Sequence, residues 1–207
     1  MYKYEGIGSI YWHQNSKFIL SFQEIIAGAA ETGYSGIKQL KEIYYRLRAG
    51  LGFNKEPSLW GAFPLEPYSH TPYGMPAQQP GMTGQVKEDI LTRNAEMGIN
   101  VKNGNIHFNP ALLCKSNFLG DPAIFNYIGA DGKSRDLSLD TGSLAFTICQ
   151  TPVVYKLAGK DEVSVSYVNG ETICFKTLAL NDAISSALFK RTAEISMIEV
   201  TFKRDEI

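Results

Sequence analysis

The sequence predicts an α+β chain with a helical segment over residues 1–98 and an antiparallel β-sandwich over 99–207. Two observations predict it. The hydrophobic period switches from about 3.6 to 2 near Gly98. Beyond that point, short apolar runs recur between turn signals, the pattern of a sandwich, here expected to be jelly-roll-like.

The first helix is expected over 14–30, where Phe18, Ile19, Phe22, Ile25, Ile26 and Ala29 make an apolar face. Residues Ser9 to Trp12 before it read as extended. A second helix is expected over 37–49, with Ile37, Leu40, Tyr44, Leu47 and Leu51 on one face and Lys38, Lys41, Glu42, Arg46 and Arg48 on the wet one. Gly33 and Gly36 punctuate the turn, so the two form an αα-hairpin. A third helix opens at Gln85, with Val86, Ile90, Leu91, Ala95 and Met97 at three-to-four-residue spacing.

Between the second and third helices, residues 53–82 show no periodicity. Loops longer than about fifteen residues are uncommon in compact domains and usually functional or disordered. Trp60, Phe63, Tyr68 and Tyr73 argue against disorder.

Past Gly98, INVKNGNIHFNP alternates and turns at Asn103-Gly104, a hairpin signal. Strands are expected over 124–128, 136–139, 143–149, 153–157, 162–167, 172–178 and 194–202. Asp131-Gly132, Asp140-Thr141-Gly142, Ala158-Gly159-Lys160 and Asn169-Gly170 separate them. Residues 181–190 read as a short helix or a loop.

Composition narrows the function. Formal net charge is −1 and no basic stripe appears, so nucleic acid has no electrostatic footprint here. No apolar run is long enough to span a membrane and no signal peptide is evident. Cys114, Cys149 and Cys174 show no metal spacing; the last two lie in apolar runs and are expected as buried free thiols. Three cysteines cannot all pair within one chain, which favours a reducing, cytoplasmic setting. No Walker loop, dinucleotide fingerprint or HExxH occurs. No cofactor or metal is expected.

The residues with chemical promise cluster in EPYSHTPYGMPAQQPGMTG, Glu66 to Gly84. It carries Glu66, His70, Gln78, Gln79 and Thr83, and delivers Thr83-Gly84 to a helix N-terminus. Unpaired N–H groups and the helix dipole favour an anion there. Alternatively, Thr83 simply caps the helix. His13, in GSIYWHQN, precedes a helix among aromatics and reads in isolation as a hydrogen-bonded interior histidine. His107 alternates in a strand and is expected to face outward. Glycosidic cleavage needs an acid, usually with a second carboxylate. Glu66 is the best-placed carboxylate in the loop, and Glu88 and Asp89 read as solvated first-turn residues. No convincing acid–base pair emerges.

GSIYWHQN, Glu66-Pro67-Tyr68, Met82-Thr83-Gly84-Gln85 and INVKNGNIHFNPALL together resemble the C-terminal part of inverting glycoside phosphorylases of the cellobiose phosphorylase kind. More broadly they resemble the clan of six-hairpin (α/α)-barrel enzymes that includes glucoamylase-like hydrolases. The resemblance implies that residues 1–98 are the end of an (α/α)6 barrel. It implies that His13, Thr83 and Gly84 hold inorganic phosphate as a substrate, and that Glu66, His70 and Gln79 lie at the substrate site. It also implies that the general acid lies in an upstream part of the same enzyme. The partner would be a disaccharide or oligosaccharide; a homodimer is also an option. The chain departs from the family in the short PAQQPG loop and in Gln85-Val86-Lys87 after Thr-Gly. Two other readings remain: an inverting hydrolase of the same clan, with water in place of phosphate, or a non-catalytic carbohydrate-binding or structural module.

Overall fold

The computed structural model describes residues 9–50 and 86–203, with side chains over 14–49 and 87–203. The chain divides into two compact units, residues 1–96 and 97–207. The first contains α1 (Ser9–Glu31), α2 (Ile37–Gly50) and α3 (Val86–Glu96). Residues Ser9 to Trp12 are helical, not extended. Alternation over four residues is too short to fix a period, and extending an existing helix avoids the cost of nucleation.

The end of α1 follows from Gly33. Its φ of 71° is left-handed. This lets the Tyr34 N–H reach the Ala29 carbonyl at 3.0 Å and the Gly33 N–H reach Ala30 at 3.1 Å. That is the Schellman pairing, and it turns the chain into α2. Both α2 and α3 pack on α1.

The helix faces differ from those expected. On α1 the buried stripe is Ile19, Gln23 and Ile26, while Phe18 and Ile25 are exposed. On α2 it is Tyr44 and Arg48, placing Arg48 inside rather than on the wet face. On α3 it is Glu88, Thr92, Ala95 and Glu96, whereas Ile90 and Leu91 are 54% and 51% exposed. Apolar spacing marks a stripe, but several polar residues share the same helical period, and packing chose those.

The second unit contains β1 (Ile99–Lys102), β2 (Asn105–Phe108), β3 (Ala123–Ile128), β4 (Ser134–Leu139), β5 (Ser143–Ile148), β6 (Thr151–Ala158), β7 (Glu162–Tyr167), β8 (Thr172–Phe175), α4 (Asp182–Lys190) and β9 (Ile195–Lys203). Hairpins β1–β2 and β3–β4 stand beside a five-stranded sheet ordered β5-β6-β9-β7-β8. Asn103 and Gly104, with φ of 51° and 83°, close the first hairpin as a type I′ turn.

All pairings were expected to be antiparallel, but β6 and β9 pair in parallel. The reason is geometric. Strands β6 and β7 run in opposite directions, and β9 lies between them. An inserted strand must then be parallel to one of its neighbours. Alternation in sequence reports the buried face, not strand direction.

One face of this sheet is the core. Val153, Tyr155, Val163, Val165, Ile198, Val200 and Phe202 are buried at alternating positions. The β1–β2 hairpin, Leu113, Leu180 and α4 cover it through Ile106, Phe108, Ile184 and Leu188. Tyr155 meets Phe108, Phe146 and Phe202 edge-on, with centroids at 6.0, 5.0 and 4.8 Å. Its hydroxyl donates to the Met97 carbonyl at 2.8 Å. Burying such side chains stabilises by about 1.5–3 kcal/mol each. The opposite face is mixed: Val154 is buried there, while Lys156 pairs with Glu199 at 2.7 Å and Ser166 lies 3.2 Å from Thr172.

Residues 181–190 resolve to a helix. Asn181 caps α4 by accepting from the Ile184 N–H at 3.0 Å. Between β5 and β6 no turn signal had stood out, yet Cys149 and Gln150 adopt φ of 48° and 67°. They close a two-residue turn between Ile148 and Thr151. Cys149 is therefore in a turn and half-buried, and Cys174 is exposed on β8. Neither is the buried thiol expected. His107 is half-buried on β2 between buried Ile106 and Phe108. Among the described residues no helix is long and apolar enough to cross a membrane.

Candidate functional site: a buried polar cluster in the helical unit

Of the residues singled out in the sequence, His13 falls on α1, with its side chain outside the described residues. Glu66, His70, Gln78, Gln79, Thr83 and Gly84 also lie outside them. The described helices assemble a different constellation, which joins Tyr44 of the expected apolar face to Arg48, Glu88 and Asp89, all expected in solvent.

Glu96 is its centre. One carboxylate oxygen, Oε1, accepts from Tyr44 Oη at 2.7 Å and from Arg48 Nε at 2.8 Å. The other, Oε2, accepts from Arg93 Nη1 at 2.7 Å. Helical spacing brings these groups together. Tyr44 and Arg48 are one turn apart on α2, and Arg93 and Glu96 one turn apart on α3. Arg48 Nη2 lies 3.9 Å from Asp89 Oδ1, beyond hydrogen-bonding range. Removing a carboxylate from water is costly, and only such saturation with charged and hydroxyl donors offsets it. Three short bonds occupy Glu96 as an acceptor, so its role is to tie α2 to α3.

Electrostatics follow from burial. The Tyr44 hydroxyl is held far above its ordinary value, first by burial, then by the Glu96 charge and by donating to it. It is therefore a fixed donor across the accessible pH range. Burial also raises the Asp89 carboxyl, outweighing the pull of Arg48 and Arg93, and Glu96 adds to the rise.

Glu88 contrasts with Glu96. It is 3% exposed. Its nearest cation, the exposed Lys87 Nζ, is 3.9 Å from Oε1. Its Oε2 is buried with no hydrogen-bond partner, and so is Gln23 Oε1 on α1. Gln23 is 5% exposed. An unmatched buried polar group costs about 1–3 kcal/mol, more when charged. Glu88 is thus not the solvated first-turn residue it resembled, while Asp89 is partly buried, its side chain a third exposed. The overlooked signal was spacing: Glu88, Thr92 and Glu96 recur every four residues, and Gln23 falls within the Ile19–Ile26 stripe.

Among the described residues no group of three His, Cys, Asp or Glu side chains could hold a metal ion. The cluster offers one saturated carboxylate, Glu96, and three buried acceptor oxygens without a hydrogen bond, on Gln23, Glu88 and Asp89. No protein-family model matches the chain, and no curated protein is significantly similar to it.

Proposed function

We propose that the chain is the C-terminal part of a carbohydrate-active enzyme that cleaves a glycosidic bond by inverting phosphorolysis. In this reading α1–α3 close an (α/α)6 barrel, and the second unit is its jelly-roll-like β-sandwich. The observation that carries the proposal is the position of α3. Its described part begins at Val86, two residues after Gly84, and it packs on α1, the helix that bears His13. Both segments expected to hold phosphate therefore fall within one unit, and Thr83-Gly84 shortly precedes α3 in sequence. Phosphate attacks the anomeric carbon, while a carboxylic acid from the upstream part of the enzyme protonates the departing oxygen.

A second reading, inverting hydrolysis, is favoured by Glu88 and Asp89 in the first turn of α3. Carboxylates there already complement the dipole and oppose a second anion, but not a water molecule.

Steady-state kinetics of Thr83→Ala and His13→Ala in the full-length enzyme, with phosphate varied, test both readings. A lost charge-assisted hydrogen bond made in the transition state lowers catalytic efficiency about ten- to a hundredfold. A raised Michaelis constant for phosphate identifies a phosphorylase. Loss of turnover with no phosphate requirement identifies a hydrolase. Variants that melt lower yet turn over normally remove both residues from the site, and absence of glycoside cleavage leaves the non-catalytic module.

A further inference from the structure

We propose that the outer edge of β3 is a homodimer interface, at which two copies of the chain pair β3 with β3 antiparallel about a two-fold axis at Asn126. The proposal stands on the second unit alone and is independent of the glycosidic reading.

Backbone phase identifies the edge. The Gly129 N–H donates to the Lys133 carbonyl at 2.9 Å, which sets the phase of the β3–β4 ladder. Backbone groups of successive residues point to alternate sides of a strand, so Ala123, Phe125 and Tyr127 direct theirs toward β4. The N–H and C=O groups of Ile124, Asn126 and Ile128 point the other way. These three residues are exposed, the two isoleucines at 66% and 58%. Among the described residues, β4 is the one strand neighbour of β3. A two-stranded hairpin is marginally stable by itself. Edges are commonly blunted by charge, proline or a bulge, and β3, AIFNYI, has none of these.

The strand itself names its occupant. Ile124-Phe125-Asn126-Tyr127-Ile128 reads alike in both directions: isoleucines outside, aromatics next, Asn126 at the centre. Antiparallel pairing about Asn126 sets Ile124 opposite Ile128 of the second copy and Asn126 opposite its own counterpart. All are positions whose backbone groups face outward, so each facing pair exchanges two hydrogen bonds. Phe125 then falls opposite Tyr127 of the second copy at the intervening, more closely spaced positions, where aromatic pairs are favourable. Within one chain these two rings already stack, with centroids 5.6 Å apart, and the dimer continues the row. Charge offers no resistance, because Asp131 and Asp136 balance Lys133 and Arg135 along the hairpin. An unrelated partner strand would have no use for this symmetry. The other strand of the hairpin, β4, is charged and contacts β5, so pairing through β3 closes at two copies.

Sedimentation equilibrium on the full chain tests the interface. The parent protein should exchange reversibly between monomer and dimer. Asn126→Lys sets like charges opposite each other across the axis and should raise the dimer dissociation constant about tenfold or more. Within its own chain position 126 faces Asp136, so the added cation leaves the hairpin paired. Asn126→Cys should form a disulfide with its own counterpart on oxidation, because the facing Cα atoms lie about 5.5 Å apart. Mass spectrometry of the linked peptides separates this bond from any made by Cys114, Cys149 or Cys174. Ala123→Cys should not link to its counterpart, since the two would lie about 20 Å apart along the strands. A parent protein that stays monomeric up to about 100 µM overturns the proposal. So does assembly beyond a dimer, a dimer that Asn126→Lys leaves unchanged, or an Ala123→Cys variant that links as readily as Asn126→Cys.

Discussion

The two units solve burial in opposite ways. In residues 97–207 the inward positions are almost purely apolar: Val153, Tyr155, Val163, Val165, Ile198, Val200 and Phe202 stand in register on one sheet face. In the helical unit the inward positions include Gln23, Arg48, Glu88, Thr92 and Glu96, while Phe18, Ile25, Ile90 and Leu91 are exposed. The first arrangement is stabilised by removing apolar area from water, which needs no particular partner. The second depends on directed bonds, each of which fails if one partner is lost. A core built on area tolerates small errors. A polar one ties helices together by specific pairs.

The largest expected effect sharpens the β side of this contrast. Tyr155→Ala removes a fully buried ring that touches three others, and should cost about 3–5 kcal/mol in equilibrium urea unfolding. Tyr155→Phe keeps the ring, loses only the bond to Met97, and should cost about 1 kcal/mol. If the two substitutions cost the same, the hydroxyl rather than the packed ring dominates at this position.

On the helical side, Glu96→Ala strips Tyr44, Arg48 and Arg93 of a common acceptor. Breaking a buried pair from one side costs about 3 kcal/mol. A change below about 0.5 kcal/mol, the range of ordinary surface substitutions, would show that the cluster does not hold α2 to α3.

The smallest effect is a slope. Burial raises the Asp89 carboxyl in the folded protein, so the native state holds that proton more tightly than the unfolded chain. Stability then falls as pH rises from the unfolded carboxylate value, about 3.9, through the raised native one. Asp89→Asn should remove this component from a plot of unfolding free energy against pH. An unchanged slope would mean that Arg48 and Arg93 fully compensate the burial.

Much of the β unit was legible because a strand alternates with period 2, and one face of this sheet is apolar. Glu162–Tyr167 matches an expected strand residue for residue, and Asn103-Gly104 encodes its own turn through two left-handed positions. The turn at Cys149-Gln150 was not legible, because neither residue favours positive φ and the flanking strands impose it. In the helical unit, helix existence followed from apolar spacing, and the Gly33 stop from its left-handed backbone.

What the sequence could not carry were relations between elements. Strand direction leaves no mark on alternation, so the parallel pairing of β6 with β9 emerged only when β9 entered between β6 and β7. Nor can a single helix specify which of its stripes turns inward. Glu88 and Glu96 share one stripe of α3, and Ile90 and Leu91 lie elsewhere on it. Local propensity is indifferent between these faces. The choice was made by tertiary structure, because Tyr44 and Arg48 of α2 supply the donors that let Glu96 leave water.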